Sequence, residues 1–185
     1  MTSLKGQKDI TVSVVGPKTN DEKKCIKSVG LENSQVVVKI SSENILFEKA
    51  DCDYDITIVT PITQNFDLDL SSGSAAISVK DINGAINLKT ATGSVDVSGD
   101  VLKNITAKTA TGPMNFTYKT CSGRADLDFL SATGKTVLKI PGSCKIRVDY
   151  KSATGKLFNA VGESEDYQVF INAKSASADF SIGKM

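Results

Sequence analysis

From Tyr54 to the C-terminus the chain alternates apolar and polar residues in short runs, and a small-residue phrase interrupts the alternation at near-regular intervals. The phrase reads LKTATG ending at Gly93, AKTATG ending at Gly112, LSATG ending at Gly134 and KSATG ending at Gly155. A degenerate LSSG ends at Gly73, and a worn KSASA ends at Ala178. Successive copies lie 19–23 residues apart. Self-similarity at such a period marks a stacked architecture, in which no single unit buries its own apolar face.

Counting from the repeat glycine gives columns. Seven residues before it stand Phe66, Ile86, Ile105, Leu127, Val148 and Ile171, and five before it Leu68, Leu88, Ala107, Phe129, Tyr150 and Ala173. Two after it stand Ala75, Val95, Met114, Thr136, Leu157 and Phe180, and four after it Ile77, Val97, Phe116, Leu138, Asn159 and Ile182. Within each half-repeat the period is two, the alternation of a strand with one buried face. The parity changes between the columns five and two before the glycine, which one inward face allows only at a bend. The small column two before the glycine (Ser71, Ala91, Ala110, Ala132, Ala153, Ala176) is therefore expected inside a corner.

Each repeat then reads as strand, corner, strand, turn, and stacking in chain order sets Ala132 between Ala110 and Ala153. The β-branched and Gly content argues against helix, and no stretch keeps a helical apolar period for three turns. An antiparallel sandwich also has short strands and turns, but a motif recurring in register favours the stack. The predicted fold is all-β: a single-stranded β-solenoid of rungs of roughly 20 residues over 65–185. Residues 1–64 are less regular. Ile10–Val15, Val36–Ile40, Ile45–Phe47 and Tyr54–Val59 read as strands and Lys18–Lys24 as a loop. They are expected to continue or cap the stack, making one structural domain overall.

Composition narrows the chemistry. Of 185 residues, 22 are basic and 21 acidic, which excludes a strong global field for nucleic acid or an anionic membrane. No run of about 18 apolar residues exists, so direct membrane insertion by a helix of this chain is not expected. His is absent, which removes Ser-His-Asp triads, Cys-His dyads and nearly every zinc or haem site. Cys25, Cys52, Cys121 and Cys144 form no C-x-x-C pair; their even number permits two disulfides without requiring them. No cofactor and no metal site is expected. The start, Met1 to Gly6, has no signal-peptide apolar core, so the chain is expected to be cytoplasmic unless a leader has been removed, in which case it belongs to the envelope or the extracytoplasmic space.

The run YDITIVTPITQNFDLDLSSGSAAISV, followed by the T-[AS]-x-G-type repeats, resembles the toast-rack, or auto-transporter adhesin head (GIN-domain), family of bacterial β-solenoid domains of unknown function. The resemblance covers Ile10 to Ile182 and is strongest from Tyr54 to Gly155. It implies a β-stack, usually at the cell envelope, without an established catalytic activity, and it carries no catalytic motif over.

Two outward columns hold the charge. Six residues before the glycine stand Asp67, Asn87, Thr106, Asp128, Asp149 and Asn172; four before it stand Asp69, Lys89, Lys108, Leu130, Lys151 and Lys174. Stacking in chain order would bring Asp128 and Asp149 to about 5 Å, a spacing that suits a calcium site or an acid/base pair. Against this, the lysines beside them are expected to neutralise the acids across the face, as solvated charges usually do. The Asp51–Asp55 run opens like a calcium loop but has Ile56 and Ile62 where that loop needs Gly and Glu, so a polar strand edge is the better reading. The hydroxyls just before the glycine (Ser72, Thr92, Thr111, Thr133, Thr154, Ser177) read either as a surface array matching ice or a glycan or as corner residues bonding their own turns, with the local role favoured.

Val137 and Phe158, both three residues after their glycines, break a polar outward column and are expected one rung apart as a small contact patch, unless the Val161–Asp166 connection covers them. The favoured reading of the whole is a non-enzymatic, envelope-associated, adhesin-like binding or structural module. Its partner would be a protein or glycan, or a second copy of itself, and not nucleic acid. The alternatives are a carbohydrate-active β-solenoid enzyme using the outward Asp column, and a cytoplasmic scaffold polymerising end to end.

Overall fold

The computed structural model describes residues 67–185 in full, together with the backbone of four strands nearer the N-terminus. Those four are β1 (Thr11–Val15), β2 (Cys25–Glu32), β3 (Gln35–Ser42) and β4 (Asp55–Val59). They lie in a unit spanning residues 8–59, separate from the unit that carries the repeats. Within it β1 pairs antiparallel with β4, and β2 antiparallel with β3. The sequence predicted three of these strands and missed β2, whose Cys25-Ile26-Lys27-Ser28 opening shows little apolar weight. The expected Ile45–Phe47 strand, the Lys18–Lys24 loop and the Asp51–Tyr54 run lie outside the described residues.

The repeats form twelve strands in six pairs: β5 (Leu68–Ser72) with β6 (Ile77–Lys80), β7 (Ile86–Thr90) with β8 (Val95–Val101), β9 (Ile105–Thr109) with β10 (Met114–Thr120), β11 (Ala125–Ser131) with β12 (Thr136–Ile140), β13 (Ile146–Ser152) with β14 (Leu157–Asn159), and β15 (Val169–Ser175) with β16 (Phe180–Lys184). The first member of every pair joins one six-stranded parallel sheet and the second joins another. No helix occurs among the described residues, and the fold is an all-β solenoid.

The core fills the space between the two sheets. Ile86, Leu88, Val95 and Val97 of the second rung are buried, as are Ile105, Ala107, Met114 and Phe116 of the third. These are the columns seven and five before, and two and four after, the glycine. An aromatic file crosses from sheet to sheet, with ring centroids 4.8 Å apart for Phe116 and Phe129, 5.6 Å for Phe129 and Phe180, and 6.2 Å for Tyr150 and Phe180.

Three expectations are corrected. The first concerns rung order. The sheets run β5-β7-β9-β11-β15-β13 and β6-β8-β10-β12-β16-β14, so the last rung in sequence is inserted between the fourth and the fifth. Ala132 therefore stacks on Ala110 and Ala176; Ala176 N–H donates to the Ala132 carbonyl at 3.1 Å, and Ala153 N–H to the Ala176 carbonyl at 3.1 Å. The C-terminal strand β16 lies inside its sheet, and the stack ends on β13 and β14.

The second concerns the corner. The alanines two before the glycine are solvent-exposed at Ala91, Ala110, Ala132, Ala153 and Ala176. Strand parity runs on to the hydroxyl three before the glycine, and Thr90, Thr109 and Ser131 are buried. The Thr90 hydroxyl accepts the Gly93 N–H at 3.1 Å and that of Thr109 the Gly112 N–H at 2.9 Å. The bend falls over the next two residues, with the glycine inside it. A Cβ on Gly112 would overlap the backbone carbonyl of Gly93, and one on Gly93 that of Ala75, so close stacking of backbone on backbone demands glycine there.

The third concerns the first rung. Leu68 pairs with Ile86 and Ile77 with Val95, an offset that puts Ala75, not Gly73, in the glycine column. The column of Phe66 thus belongs to Leu68, and the column of Asp67 to Asp69.

Candidate functional site

The register decides which outward residues meet. On the first sheet one outward column runs Asp69, Asn87, Thr106, Asp128, Asn172, Asp149, and its neighbour Ser71, Lys89, Lys108, Leu130, Lys174, Lys151. Asp128 and Asp149 are separated by the whole inserted rung, roughly 10 Å rather than 5 Å. The Asn172 amide fills the interval and donates to Asp128 Oδ1 at 2.8 Å. The Asn87 amide does the same for Asp69 at 2.8 Å. Asp69 and Asp128 are thus bonded by amides of adjacent rungs, and the shared-carboxylate geometry needed for a close acid/base pair is not formed.

The lysines are not neutralised one by one. Among the described residues Lys151 alone in its column has a carboxylate within ion-pair distance, Asp149 at 3.2 Å. Lys89, Lys108 and Lys174 stand in rungs whose adjacent outward residue is Asn87, Thr106 or Asn172. Beyond them the corner exposes its alanines and the hydroxyls Thr92, Thr111, Thr133, Thr154 and Ser177. Neither reading of that hydroxyl column anticipated how its turns are bonded. The hydroxyls that bond their own turns are those three residues before the glycine, Ser72 among them, accepting the Ala75 N–H at 2.9 Å. In the exposed column it is the backbone that ties the corner: Thr111 N–H joins Ala110 N–H in donating toward the rung before it, Thr111 to the Ala91 carbonyl at 3.0 Å.

On the second sheet the outward column reads Ser78, Asp96, Asn115, Val137, Ser181, Phe158. Val137 and Phe158 are two rungs apart with Ser181 between them, so the expected adjacent pair is corrected to two separate residues. Val137 is half-buried and Phe158 is 53% exposed. The 160–168 connection docks on β13 instead of covering Phe158: Ser164 N–H donates to the Ile146 carbonyl at 2.9 Å, and Lys145 pairs with Asp166. That lysine and the Ser164 hydroxyl hold the Asp166 carboxyl below the usual carboxylate range.

Two features had no clear sequence signal. Cys121 and Cys144 form a disulfide, Cα–Cα 5.7 Å, between the turns that precede β11 and β13; an even cysteine count alone did not select the pair. At the corner between the fourth and last rungs, the Ser131 hydroxyl donates to the Gly134 carbonyl at 2.7 Å, the reverse of the bond made by Thr90 and Thr109. A cavity of about 10 Å³, room for one water, lies there among Ser131, Thr136, Tyr150, Ser175 and Asp179. Among the described residues no group of three or more Cys, Asp or Glu is placed to hold a metal ion, and no helix is long and apolar enough to cross a membrane.

The stack of parallel rungs with short turns defines a β-solenoid domain whose regular outer faces are its main features. The Toastrack DUF4097 family model matches residues 2–185, and the chain belongs to that family. Among solved structures it is similar to the crystal structure of a "putative cell adhesion protein" from Clostridium sporogenes ATCC 15579, with a TM-score of 0.60 and 10% identity over 97% of this chain and 84% of that one. At that identity the likeness is one of fold. No curated protein matches the sequence.

Proposed function

We propose that this chain is a non-enzymatic, adhesin-like binding module that works outside the cytoplasm, at the bacterial envelope. The observation that carries the reading is the outer surface itself: four of the six rungs repeat an exposed Lys and five an exposed Thr or Ser at one-rung spacing, a form suited to an extended partner. The fold likeness to a protein described as a cell adhesion protein supports it. So does the Cys121–Cys144 disulfide, since such bonds persist mainly in oxidising compartments. The separation of Asp128 from Asp149, with the Asn172 amide between them bonded to Asp128, weighs against a close retaining pair in that column.

The test is to immobilise the full chain on beads and challenge them with whole bacterial cells and with an array of neutral and acidic glycans, assaying the supernatant for new reducing ends. Retention without new reducing ends is expected. Release of reducing ends that disappears in Asp128→Asn would replace this reading with the enzymatic one.

A further inference from the structure

We propose that the exposed corner between the two sheets is a binding site for a linear acidic polysaccharide. The proposal rests on the binding-module reading and names its ligand class.

Overall charge is nearly balanced, but it is not evenly spread. In the rungs of β7, β9, β15 and β13, one flank of the corner carries Lys89, Lys108, Lys174 and Lys151. The rung between β9 and β15 has Leu130 in that column, and there a lysine stands on the other flank instead: Lys135, whose carbonyl accepts the Met114 N–H one residue past the glycine column. Lys156 occupies the same flank in the end rung. Five successive rungs therefore each set a lysine beside the corner, over a length of about 19 Å. All six lysines are solvent-exposed. Stacked like charges repel, and of these six lysines only Lys151 has an ion-pair partner among the described residues. The one carboxylate in the flanking columns, Asp179, accepts the Lys156 backbone N–H at 2.8 Å.

The floor between the flanks fixes the kind of polyanion. It consists of exposed alanines and hydroxyls, small enough for a polymer to lie close and able to bond sugar hydroxyls. It offers no aromatic ring on which a base could stack and no Arg fork for phosphate, the usual features of nucleic-acid surfaces. Lysines act as point charges toward carboxylate or sulfate groups spaced along a chain.

The probes are polygalacturonate (carboxylated), heparin (sulfated) and single-stranded DNA, with binding to the full chain measured from 50 to 300 mM salt. Saturable binding to at least one of the two polysaccharides is expected, weakening as salt rises. Lys89→Glu with Lys108→Glu and Lys174→Glu should weaken it at least tenfold at unchanged melting temperature. Lys80→Glu with Lys103→Glu, away from the corner, should change it less than twofold. Thr111→Val with Thr133→Val should weaken polysaccharide binding and leave any DNA binding unaltered. Absence of polysaccharide binding at 50 mM salt, equal effects of the two lysine sets, or DNA bound as tightly as either polysaccharide would overturn the proposal. Cell retention by beads that persists in the triple lysine variant would leave the adhesin-like reading standing while this one fails.

Discussion

The Tyr150 hydroxyl donates to the carbonyl of Ala178 at 2.6 Å, although Ala178 lies 28 residues later in the chain. The bond exists because the last rung slides beneath the one that precedes it in sequence. The same carbonyl lies where a Cβ on Gly155 would stand, so Gly155 is matched to this neighbour. On its other side Ala178 occupies the column of Gly134. In the ordinary rungs a glycine carbonyl fills the space that a Cβ in the next rung would need. The Ser131 hydroxyl donates to the Gly134 carbonyl, and the residue stacked on that glycine is Ala178.

The corner makes opposite demands on neighbouring positions. Gly112→Ala places a methyl against the backbone carbonyl of Gly93 and is expected to cost roughly 1–3 kcal/mol, as overpacking does. Ala132→Leu, on the exposed side, is expected to stay within about 0.5 kcal/mol of the parent. Urea midpoints of the two variants check this; a larger loss at Ala132 than at Gly112 would return the alanines to the interior.

Much of this was legible in the sequence. Period and register alone place the column of Ile105, Leu127 and Ile171 in the core, since strand parity leaves no freedom once one face is buried. The corner was displaced because Ala and buried Thr are both small, and period alone does not say which of them turns inward. The first rung was misaligned because Gly73 looks like the repeat glycine, whereas the register of Leu68 on Ile86 and Ile77 on Val95 puts Ala75 in that column. Rung order was hidden for a deeper reason: the repeats are interchangeable in pattern, and only details such as Ser131 and Ala178 distinguish one order from another. The lysine flank was half visible, because Lys135 becomes the counterpart of Lys108 only when the corner is drawn correctly.

Tyr118 is 2% exposed, stacked over Gly99, and its hydroxyl finds no hydrogen-bond partner among the described residues. Burial pushes its pKa well above the usual tyrosine value. Removing an unpaired buried hydroxyl relieves a desolvation cost, so Tyr118→Phe is expected to be neutral or to stabilise by up to about 2 kcal/mol. Chemical denaturation measures it; a loss above about 1 kcal/mol would reveal a partner for the hydroxyl.

Reduction of Cys121–Cys144 releases a loop of 23 residues' separation, for which chain entropy gives about 3 kcal/mol. Melting with and without reductant should differ accordingly, and Cys121→Ser with Cys144→Ser should match the reduced protein. Equal melting temperatures would show that the bond contributes nothing to stability.

The Lys145–Asp166 tie gives one pH dependence a definite sign. A carboxyl held below its usual pKa by folding contributes stability above the unfolded value and loses it as pH falls through the folded one. The melting-temperature advantage of the parent over Asp166→Asn should therefore be present at pH 7 and shrink on acidification below the ordinary carboxylate range. The pair is exposed, so the effect is expected to be small. An advantage that grew toward low pH would contradict the assignment.

The inserted last rung is the centre of this account, because it sets which side chains stand beside one another on every face. Paired cysteines test it directly. Asp128 and Asn172 are partners on adjacent strands, within the Cα range a disulfide spans, whereas Asp128 and Asp149 are two rungs apart. In the full chain, oxidation of Asp128→Cys with Asn172→Cys should give the new 128–172 link by peptide mapping, and Asp128→Cys with Asp149→Cys should give none. A ready 128–149 link with no 128–172 link would mean that the rungs stack in chain order.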